Sequence, residues 1–392
     1  MPQTHGDSNI LVPAPADTTA CAGYTGFNSL DLQQIHRMEG LPAFRSQIAV
    51  GYGKPIVVCL PGGDLLATGF GSHRDDPDYR YPDGRLAHSD VWWTVEEAAI
   101  MRSTDQGATW SEPALLGMPG RPTQFTCIAD GTLIMTAGDR MVRSTDEGRT
   151  WTECHVAWDS FAGADQNERS YGETNGVVQL PDGTLLCSCY AHRSPMQTVY
   201  DWHSYAIRSR DGGKTWADAT FVVHTDEVSY LLLPSGKLLG LARVDTMYAR
   251  DIWGIAGQVG EGGDTVTIIE SDDLGRTWTE PRRIGLGMAQ VPAFPLLLPD
   301  GRLLLVYGNR QFPFGCQVIA SRDDGQTWDM DHPLMLSWFS WDNYGGHPRS
   351  VLMPDRSIIT GYYVRMFKEH DDVDRDLASH IVRWRAPDDW PS

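Results

Sequence analysis

The sequence predicts an all-β fold, a six-bladed β-propeller of four-stranded antiparallel blades, with seven blades as the alternative. Two repeated patterns predict this fold. The first is Ser-x-Asp-x-Gly-x-Thr-Trp, here called the Ser-Asp motif, which occurs five times and starts at Ser103, Ser144, Ser209, Ser271 and Ser321. The second is an apolar run, a short polar turn and another apolar run, which occurs six times and starts at Leu60, Ile128, Leu180, Leu233, Leu298 and Met353. Units that recur in this way are typical of one closed array of similar blades.

The Ser-Asp motif has the composition of a tight turn followed by a strand. Ser and Asp side chains form hydrogen bonds with nearby backbone groups, and Gly adopts backbone angles that other residues resist. The Trp at its end gives the following strand a large apolar anchor. Each Asp of the motif is therefore interpreted as structural.

Each repeated unit contains four strands, A to D, in a fixed order. The second pattern supplies strand A, the A–B turn and strand B; a loop leads to strand C, and the Ser-Asp motif joins strands C and D. The sixth unit ends in SHIVRWRAPDDW and has no Ser-Asp motif. We expect Leu30 to Val50 to help close the ring against this sixth blade, or to form a degenerate seventh blade. Residues 1–26 are predicted to be loosely attached, and 27–392 to form a single propeller domain.

The alternating direction of the strands predicts which end of each blade carries the function. The A–B turn and the Ser-Asp motif must lie at the same end, because two strands separate them. The start of strand A and the B–C loop lie at the opposite end. Because the B–C loops vary most in length, we expect functional residues at their end of the blades.

The charge distribution points to an acidic glycan or oligosaccharide as substrate. The net charge of −19 disfavours nucleic acids and anionic membranes as partners. Arg nevertheless recurs near the end of strand B in four blades, as Arg74, Arg193, Arg243 and Arg310. Guanidinium groups bind carboxylates in a bidentate manner, and nearby carboxylates are suited to act as general acid and base. The candidate carboxylates are Asp75, Asp76, Asp78 and Glu227.

The Ser-Asp motif on four-stranded blades resembles the sialidase (neuraminidase) superfamily, also called BNR-repeat proteins, over roughly residues 43–385. The resemblance implies an exo-glycoside hydrolase that holds the substrate carboxylate with three Arg. It implies an Asp as acid/base in the loop of the first blade, where Asp76 is preferred. It also implies a Glu that activates a nucleophilic Tyr. In DEVSYLLLPSGKLLGLAR, Glu227 matches the activating Glu and Arg243 the second Arg.

Other positions depart from the family pattern. Arg45 stands in FRSQ, where the family has Phe/Tyr-Arg-Ile-Pro, and Arg310 lies a few residues early for the third Arg. The position of the nucleophilic Tyr holds His347, while Tyr344 lies three residues earlier. A His (His347, His73 or His192) with a Tyr is also compatible with a lyase for uronate glycans or a rhamnosidase, as in propeller enzymes that resemble this chain. A non-catalytic glycan-binding propeller is the third possibility.

The sequence predicts no cofactor and no metal site. Its His residues are scattered over loops, and its seven Cys show no zinc spacing and are expected to be reduced. The first residues lack the basic start and apolar run of a signal peptide. A cytoplasmic location is therefore expected, or secretion if a leader was removed.

Overall fold

The computed structural model describes residues 44–50, 54–73, 76, 78–87, 95–138, 140–157, 168–193, 202–225, 227–244, 265–284, 290–309, 315–337, 346–365 and 377–390. These residues form six β-sheets and no α-helix. The fold is the predicted six-bladed β-propeller. Within these ranges, no helix is long and apolar enough to cross a membrane.

Strand β1 (Phe44–Val50) precedes the first three sheets. Sheet one contains β2 (Val57–Cys59), β3 (Leu65–Ser72), β4 (Glu96–Ser103) and β5 (Ala114–Pro119). Sheet two contains β6 (Pro122–Cys127), β7 (Leu133–Ala137), β8 (Arg140–Ser144) and β9 (Thr152–Glu153). Sheet three contains β10 (His155–Val156), β11 (Glu168–Gln179), β12 (Leu185–Arg193), β13 (Trp202–Ser209) and β14 (Thr215–Val223).

The remaining strands form three further sheets of the same kind. Sheet four contains β15 (Val228–Leu232), β16 (Leu238–Val244), β17 (Thr265–Ser271) and β18 (Arg282–Arg283). Sheet five contains β19 (Gln290–Leu297), β20 (Leu303–Asn309), β21 (Gly315–Ser321) and β22 (Leu334–Ser337). Sheet six contains β23 (Gly346–Leu352), β24 (Ile358–Arg365) and β25 (Leu377–Trp384), and its fourth strand is β1.

Two sheets depart from a simple four-strand succession. In sheet six, β1 pairs antiparallel with β25 and completes the blade, as expected for the segment before Val50. Among the described residues it is therefore the D strand of blade six, and no seventh blade is formed. In sheet three, the two-residue β10 pairs parallel with β14 and adds a fifth strand.

The chain forms two compact units with separate cores. Of the described residues, unit 1 contains those within 1–69, 99–114 and 296–392, and unit 2 those within 70–98 and 115–295. The largest buried side chains of unit 1 include Trp384, Trp390 and Tyr362, which share one apolar cluster. In unit 2, Trp216 and Tyr205 occupy a corresponding cluster. These aromatic side chains come from the B, C and D strands or their flanks and fill the space beside neighbouring sheets.

The strand register confirms that both kinds of turn lie at one end of a blade. In sheet four, Leu238 follows the A–B turn and pairs with both Leu232 and Ser271, the first residue of a Ser-Asp motif. The same pairing recurs in sheet three, where Leu185 pairs with Gln179 and Ser209. The end of the blade opposite these turns is therefore the end that carries the B–C loops.

The Ser, Asp, Gly and Thr residues of the Ser-Asp motif form the same hydrogen bonds in each of its five copies, whereas the indole N–H of Trp278, in the fourth copy, has no hydrogen-bond partner among the described residues. In the third copy, Ser209 Oγ donates to Asp211 Oδ1 (2.8 Å) and accepts from the backbone N–H of Gly213 (2.9 Å). Asp211 also accepts from the backbone N–H (2.9 Å) and the hydroxyl (2.7 Å) of Thr215. The Trp216 indole N–H donates to the Gly213 carbonyl at 3.0 Å. Every Asp oxygen is used inside the turn, which supports a structural role for these carboxylates.

Candidate functional site

The predicted pair Glu227 and Arg243 lies at the loop end of sheet four, in unit 2. Glu227 immediately precedes β15, and Arg243 is next to the last residue of β16. Arg243 Nη1 lies 3.4 Å from Glu227 Oε2, and their side chains are only 17% and 13% exposed. The Arg243 backbone N–H also donates to the Glu227 carbonyl at 2.9 Å. Both the backbone and the side chains therefore hold these two residues together.

A second pair of side chains supports the position of Arg243. The Thr225 hydroxyl donates to the Arg243 carbonyl, and the Ser204 hydroxyl donates to the Thr225 carbonyl at 2.7 Å. Thr225 and Ser204 are both buried. This chain of bonds links β13 of the third blade to β16 of the fourth, so that the backbone carrying Arg243 is fixed from the neighbouring sheet.

A second polar cluster of unit 2 lies at the loop end of the first blade. Glu97, on β4, accepts hydrogen bonds from His73 Nε2 (2.7 Å), the Tyr79 hydroxyl (2.6 Å) and the backbone N–H of Gly117 (2.6 Å). The rings of His73 and Tyr79 are stacked, with centroids 3.5 Å apart. Tyr81 meets both rings edge-on. The Glu97 side chain is 2% exposed, so the carboxylate depends on these donors for its stability.

Burial keeps the two tyrosines of this cluster protonated. Desolvation, followed by the hydrogen bond and the negative charge of Glu97, raises the pKa of Tyr79 to about 12. Desolvation and the charge of Glu97 also raise the pKa of Tyr81. At neutral pH both phenols are therefore hydrogen-bond donors and do not act as bases.

A buried ion pair lies directly beside this cluster. Glu96, next to Glu97 on β4, accepts two hydrogen bonds from the Arg121 guanidinium, one of them 2.6 Å from Nε to Oε2. The guanidinium carbon lies 4.6 Å from the centre of the Phe70 ring. Arg121 directly precedes β6, so this bidentate pair connects the first blade to the second.

In unit 1, the predicted residue His347 lies on β23 in an unusual backbone conformation. Its φ is 45°, in the left-handed region that non-glycine residues rarely adopt, and the strand register shifts between Gly346 and Arg349. The His347 ring lies 5.5 Å from the Tyr363 ring, centroid to centroid. Backbone strain of this kind is concentrated at functional positions in proteins. His347 therefore stays a candidate site residue.

For the remaining predicted residues, the structure describes few contacts or none. Asp76 is exposed in the loop after β3, where its backbone N–H donates to the His73 carbonyl at 2.9 Å. Arg45 lies on β1 opposite Val382, with only its backbone described. Arg74, Arg310 and Tyr344 lie outside the described residues. Among the predicted site residues, the structure therefore brings together Glu227 and Arg243.

Sequence reasoning missed Glu97 and its partner Tyr79. One signal was available: Glu96 and Glu97 are adjacent charges at the start of the apolar strand Glu96–Ser103, and both are buried. Buried carboxylates require partners, so such a pair predicts polar contacts on both faces of the strand.

The described residues contain no group of three His, Cys, Asp or Glu arranged to hold a metal ion. Six of the cysteines are described, and all six are free thiols. Burial raises the pKa of the Cys154 thiol to about 12 and also raises that of Cys189, which makes both poor nucleophiles.

No protein-family model matches the sequence, and no curated protein is significantly similar to it. Solved structures share the fold. A protein of unknown function from Dyadobacter fermentans aligns with a TM-score of 0.62 at 19% identity, covering 87% of this chain and 97% of its own. The α-L-arabinanase of Penicillium chrysogenum, complexed with arabinobiose, aligns with a TM-score of 0.57 at 15% identity, covering 84% and 92%. A Hadza microbial sialidase aligns with a TM-score of 0.54 at 20% identity, and the match covers 85% of this chain and 65% of that protein. At these identities, the similarity shows a sialidase-like propeller fold.

Proposed function

We propose that this chain is a glycoside hydrolase that removes a terminal sugar carrying a carboxylate. The observation that carries the proposal is the ion pair of Glu227 and Arg243. It is mostly buried and stands at the loop end of its blade. The propeller structures that resemble the chain include sialidases and an arabinanase, which supports a carbohydrate substrate.

Arg243 is suited to bind the carboxylate of the sugar. A guanidinium has five N–H donors in a planar fork, a geometry that matches a carboxylate in a bidentate contact. Glu227 orients the guanidinium from one side, and the Thr225 bond fixes the backbone behind it. A sugar whose carboxylate binds Arg243 would gain binding energy that a neutral sugar of the same size lacks.

The other roles follow from the resemblance to sialidases and remain part of the proposal. Asp76, exposed in the loop of the first blade, donates a proton to the leaving-group oxygen. The resemblance also makes Tyr344 or His347 a candidate for the position of the family's nucleophile, and Arg45, Arg74 and Arg310 candidates for binding the carboxylate.

Product analysis tests the reaction. The purified protein is incubated with sialosides, with arabino-oligosaccharides and with rhamnosyl-glucuronate glycans. Release of free sialic acid or of another acidic sugar supports the proposal. Release of arabinose alone contradicts the acidic substrate, and an unsaturated uronate chromophore shows elimination in place of hydrolysis. If none of the three substrates yields a product, the proposal of a hydrolase of terminal acidic sugars is contradicted.

Substitution of Arg243 tests the site. We expect Arg243→Gln to lower kcat/KM for the acidic substrate by roughly 10- to 100-fold, because a charge-assisted bidentate contact is lost. Arg149→Gln is the control, since Arg149 is 67% exposed and lies on a Ser-Asp motif at the opposite end of its blade. Unchanged kcat/KM in Arg243→Gln would remove Arg243 from the site.

A further inference from the structure

The loop end of the first blade holds a histidine with the contacts of a proton-transfer group. His73 follows β3 immediately, and its backbone N–H donates to the Val95 carbonyl at 2.7 Å. Its side chain is 13% exposed, whereas the Glu97 carboxylate beneath it is 2% exposed. The imidazole therefore lies between a buried anion and the surface.

The hydrogen bonds of Glu97 define which nitrogen of His73 carries the proton. A carboxylate only accepts hydrogen bonds, so Nε2 of His73, 2.7 Å from Glu97 Oε2, must carry a hydrogen. In the neutral imidazole the other nitrogen, Nδ1, then has the lone pair. Within the described ranges, no hydrogen bond to Nδ1 is formed. The neutral ring therefore offers a basic nitrogen on the side away from Glu97.

Contacts around the ring hold it in this orientation. Tyr79 stacks on one face of the imidazole with an interplanar angle of 8°, and its hydroxyl binds the same Glu97 oxygen as His73. Tyr81 meets the ring at 88°, and its hydroxyl donates to the Glu96 carbonyl at 2.8 Å. Among the described residues, the charged groups that act on the two tyrosines of this cluster include Glu96 and Glu97 from β4 and Asp76 and Arg85 from the loop.

We propose that His73 is the general base of the active site, with Nδ1 as the proton acceptor and Glu97 as the residue that positions the ring. The proposal rests on the hydrolase function proposed above. Nδ1 takes a proton from water, the water oxygen bonds to the anomeric carbon, and the bond to the leaving group breaks. The leaving-group oxygen takes the proton of the Asp76 carboxylic acid. Exchange with solvent returns the proton from the imidazolium to the Asp76 carboxylate, so that one water is consumed per bond.

Chemical modification tests the accessible nitrogen without any substrate. Diethyl pyrocarbonate acylates unprotonated, accessible imidazoles, and peptide mass spectrometry reports the rate at each His. We expect His73 to react at a rate near that of the exposed His155 and far above that of His380, which is 6% exposed. In ¹⁵N-histidine spectra, the signal that is lost in His73→Gln should show that the neutral ring carries its hydrogen on Nε2 and none on Nδ1. A rate as slow as that of His380, or the opposite tautomer, overturns the proposal.

Activity measurements test the role in the reaction. On the substrate that the protein hydrolyses, we expect His73→Gln to lower kcat by roughly 10²- to 10⁴-fold at an unchanged melting temperature. Added imidazole should restore part of the activity of His73→Ala, an effect that a purely structural role does not produce. His155→Gln is the control and should keep full activity. Full activity in His73→Gln overturns the proposal for His73. Absence of any hydrolysis by the unmodified protein contradicts the hydrolase function instead. In that case the chemical modification and the ¹⁵N spectra still test whether Nδ1 of His73 is accessible and carries no hydrogen.

Discussion

Glu96 and Glu97 are adjacent carboxylates with different surroundings. Successive side chains of a strand point to opposite faces, so the two residues cannot share partners. Glu96 meets the Arg121 guanidinium on one side of β4, and Glu97 meets His73, Tyr79 and Gly117 on the other. The first contact joins two blades, and the second holds the loop of the first blade over its own sheet.

The Glu96–Arg121 pair should contribute strongly to stability because it is buried. The two side chains are 1% and 10% exposed, so removal of one partner leaves an unpaired charge in the interior. We expect Arg121→Met to lower the free energy of unfolding by about 3–5 kcal/mol. The double variant Glu96→Gln/Arg121→Met should be less destabilised than Arg121→Met alone.

Denaturant unfolding monitored by Trp fluorescence measures both changes. Arg210→Met provides the control, since Arg210 is 62% exposed and its pair with Asp218 should be worth less than about 1 kcal/mol. Equal losses of unfolding free energy in Arg121→Met and Arg210→Met would show that the buried pair contributes no more to stability than the exposed pair.

The two polar clusters of unit 2 differ in how far the sequence predicts them. Glu227 and Arg243 flank one hairpin at equal distances from its turn, so the strand register alone brings them together. The contact of Glu97 with Tyr79 depends on the path of a loop that no periodic pattern describes. For that reason the sequence indicates an acidic strand end, but it does not indicate its partners.

At the scale of the element, the Ser-Asp motif is a turn stabilised by one carboxylate. Partial burial raises the pKa of Asp211, but hydrogen bonds from Thr215, Ser209 and Lys214 outweigh it and lower the pKa to about 2. Thr277 and Ser271 do the same for Asp273, whose pKa is also about 2. The residue before the motif Gly has a positive φ in every copy, at Gln106, Glu147, Gly212, Leu274 and Asp324. This conformation is strained in the four copies where the residue is not glycine.

These lowered pKa values predict a loss of stability in acid. An Asp in an unfolded chain has a pKa of about 3.9. Between that pH and about pH 2, the folded protein therefore binds fewer protons than the unfolded chain. The contribution of Asp211 is therefore complete above about pH 4 and is lost as the pH falls towards 2. We expect Asp211→Asn to have a lower melting temperature than the unmodified protein at pH 7. Its melting temperature should also fall less than that of the unmodified protein between pH 4 and pH 2.5.

Differential scanning fluorimetry over this pH range provides the measurement. Asp331→Asn is the matched control, because Asp331 is exposed and lies outside the Ser-Asp motifs. The interpretation is wrong if Asp211→Asn and the unmodified protein lose stability in parallel.

The sixth blade explains why the motif occurs only five times. A Ser-Asp motif joins strands C and D of one blade, but in sheet six strand C is β25 and strand D is β1. No C–D turn exists there, so no motif is needed. Arg383 and Arg385 instead bind Asp355 of the A–B turn, at 2.7 and 3.1 Å. The absence of a sixth Ser-Asp motif was visible in the sequence. The pairing of β1 with β25 was not, because it is a contact between residues far apart in the chain.

At the scale of the whole molecule, the stability of unit 1 should depend on its first strand. Without β1, the strand β25 would have an unpaired edge, and such edges promote aggregation. We expect a chain that begins at residue 54 to melt at a lower temperature and to aggregate with increasing concentration. A chain that begins at residue 27 retains β1 and should behave like the full chain.

Melting curves and light scattering at several protein concentrations distinguish the two truncations. Equal behaviour of both shortened chains would show that the pairing of β1 with β25 is dispensable.

The pairing of β1 with β25 also constrains how the protein is made. During translation, β1 leaves the ribosome before the other described strands, yet its partner β25 follows only after residues 51–376 have been synthesised. Five sheets can form from contiguous segments as the chain emerges, whereas the sixth requires both β1 and the much later strand β25. Its closure is a contact of very high sequence separation, the kind that makes folding slow. Until then β1 is an unpaired strand exposed to other nascent chains, so a chaperone that shields β1 would act on the most vulnerable stage of folding.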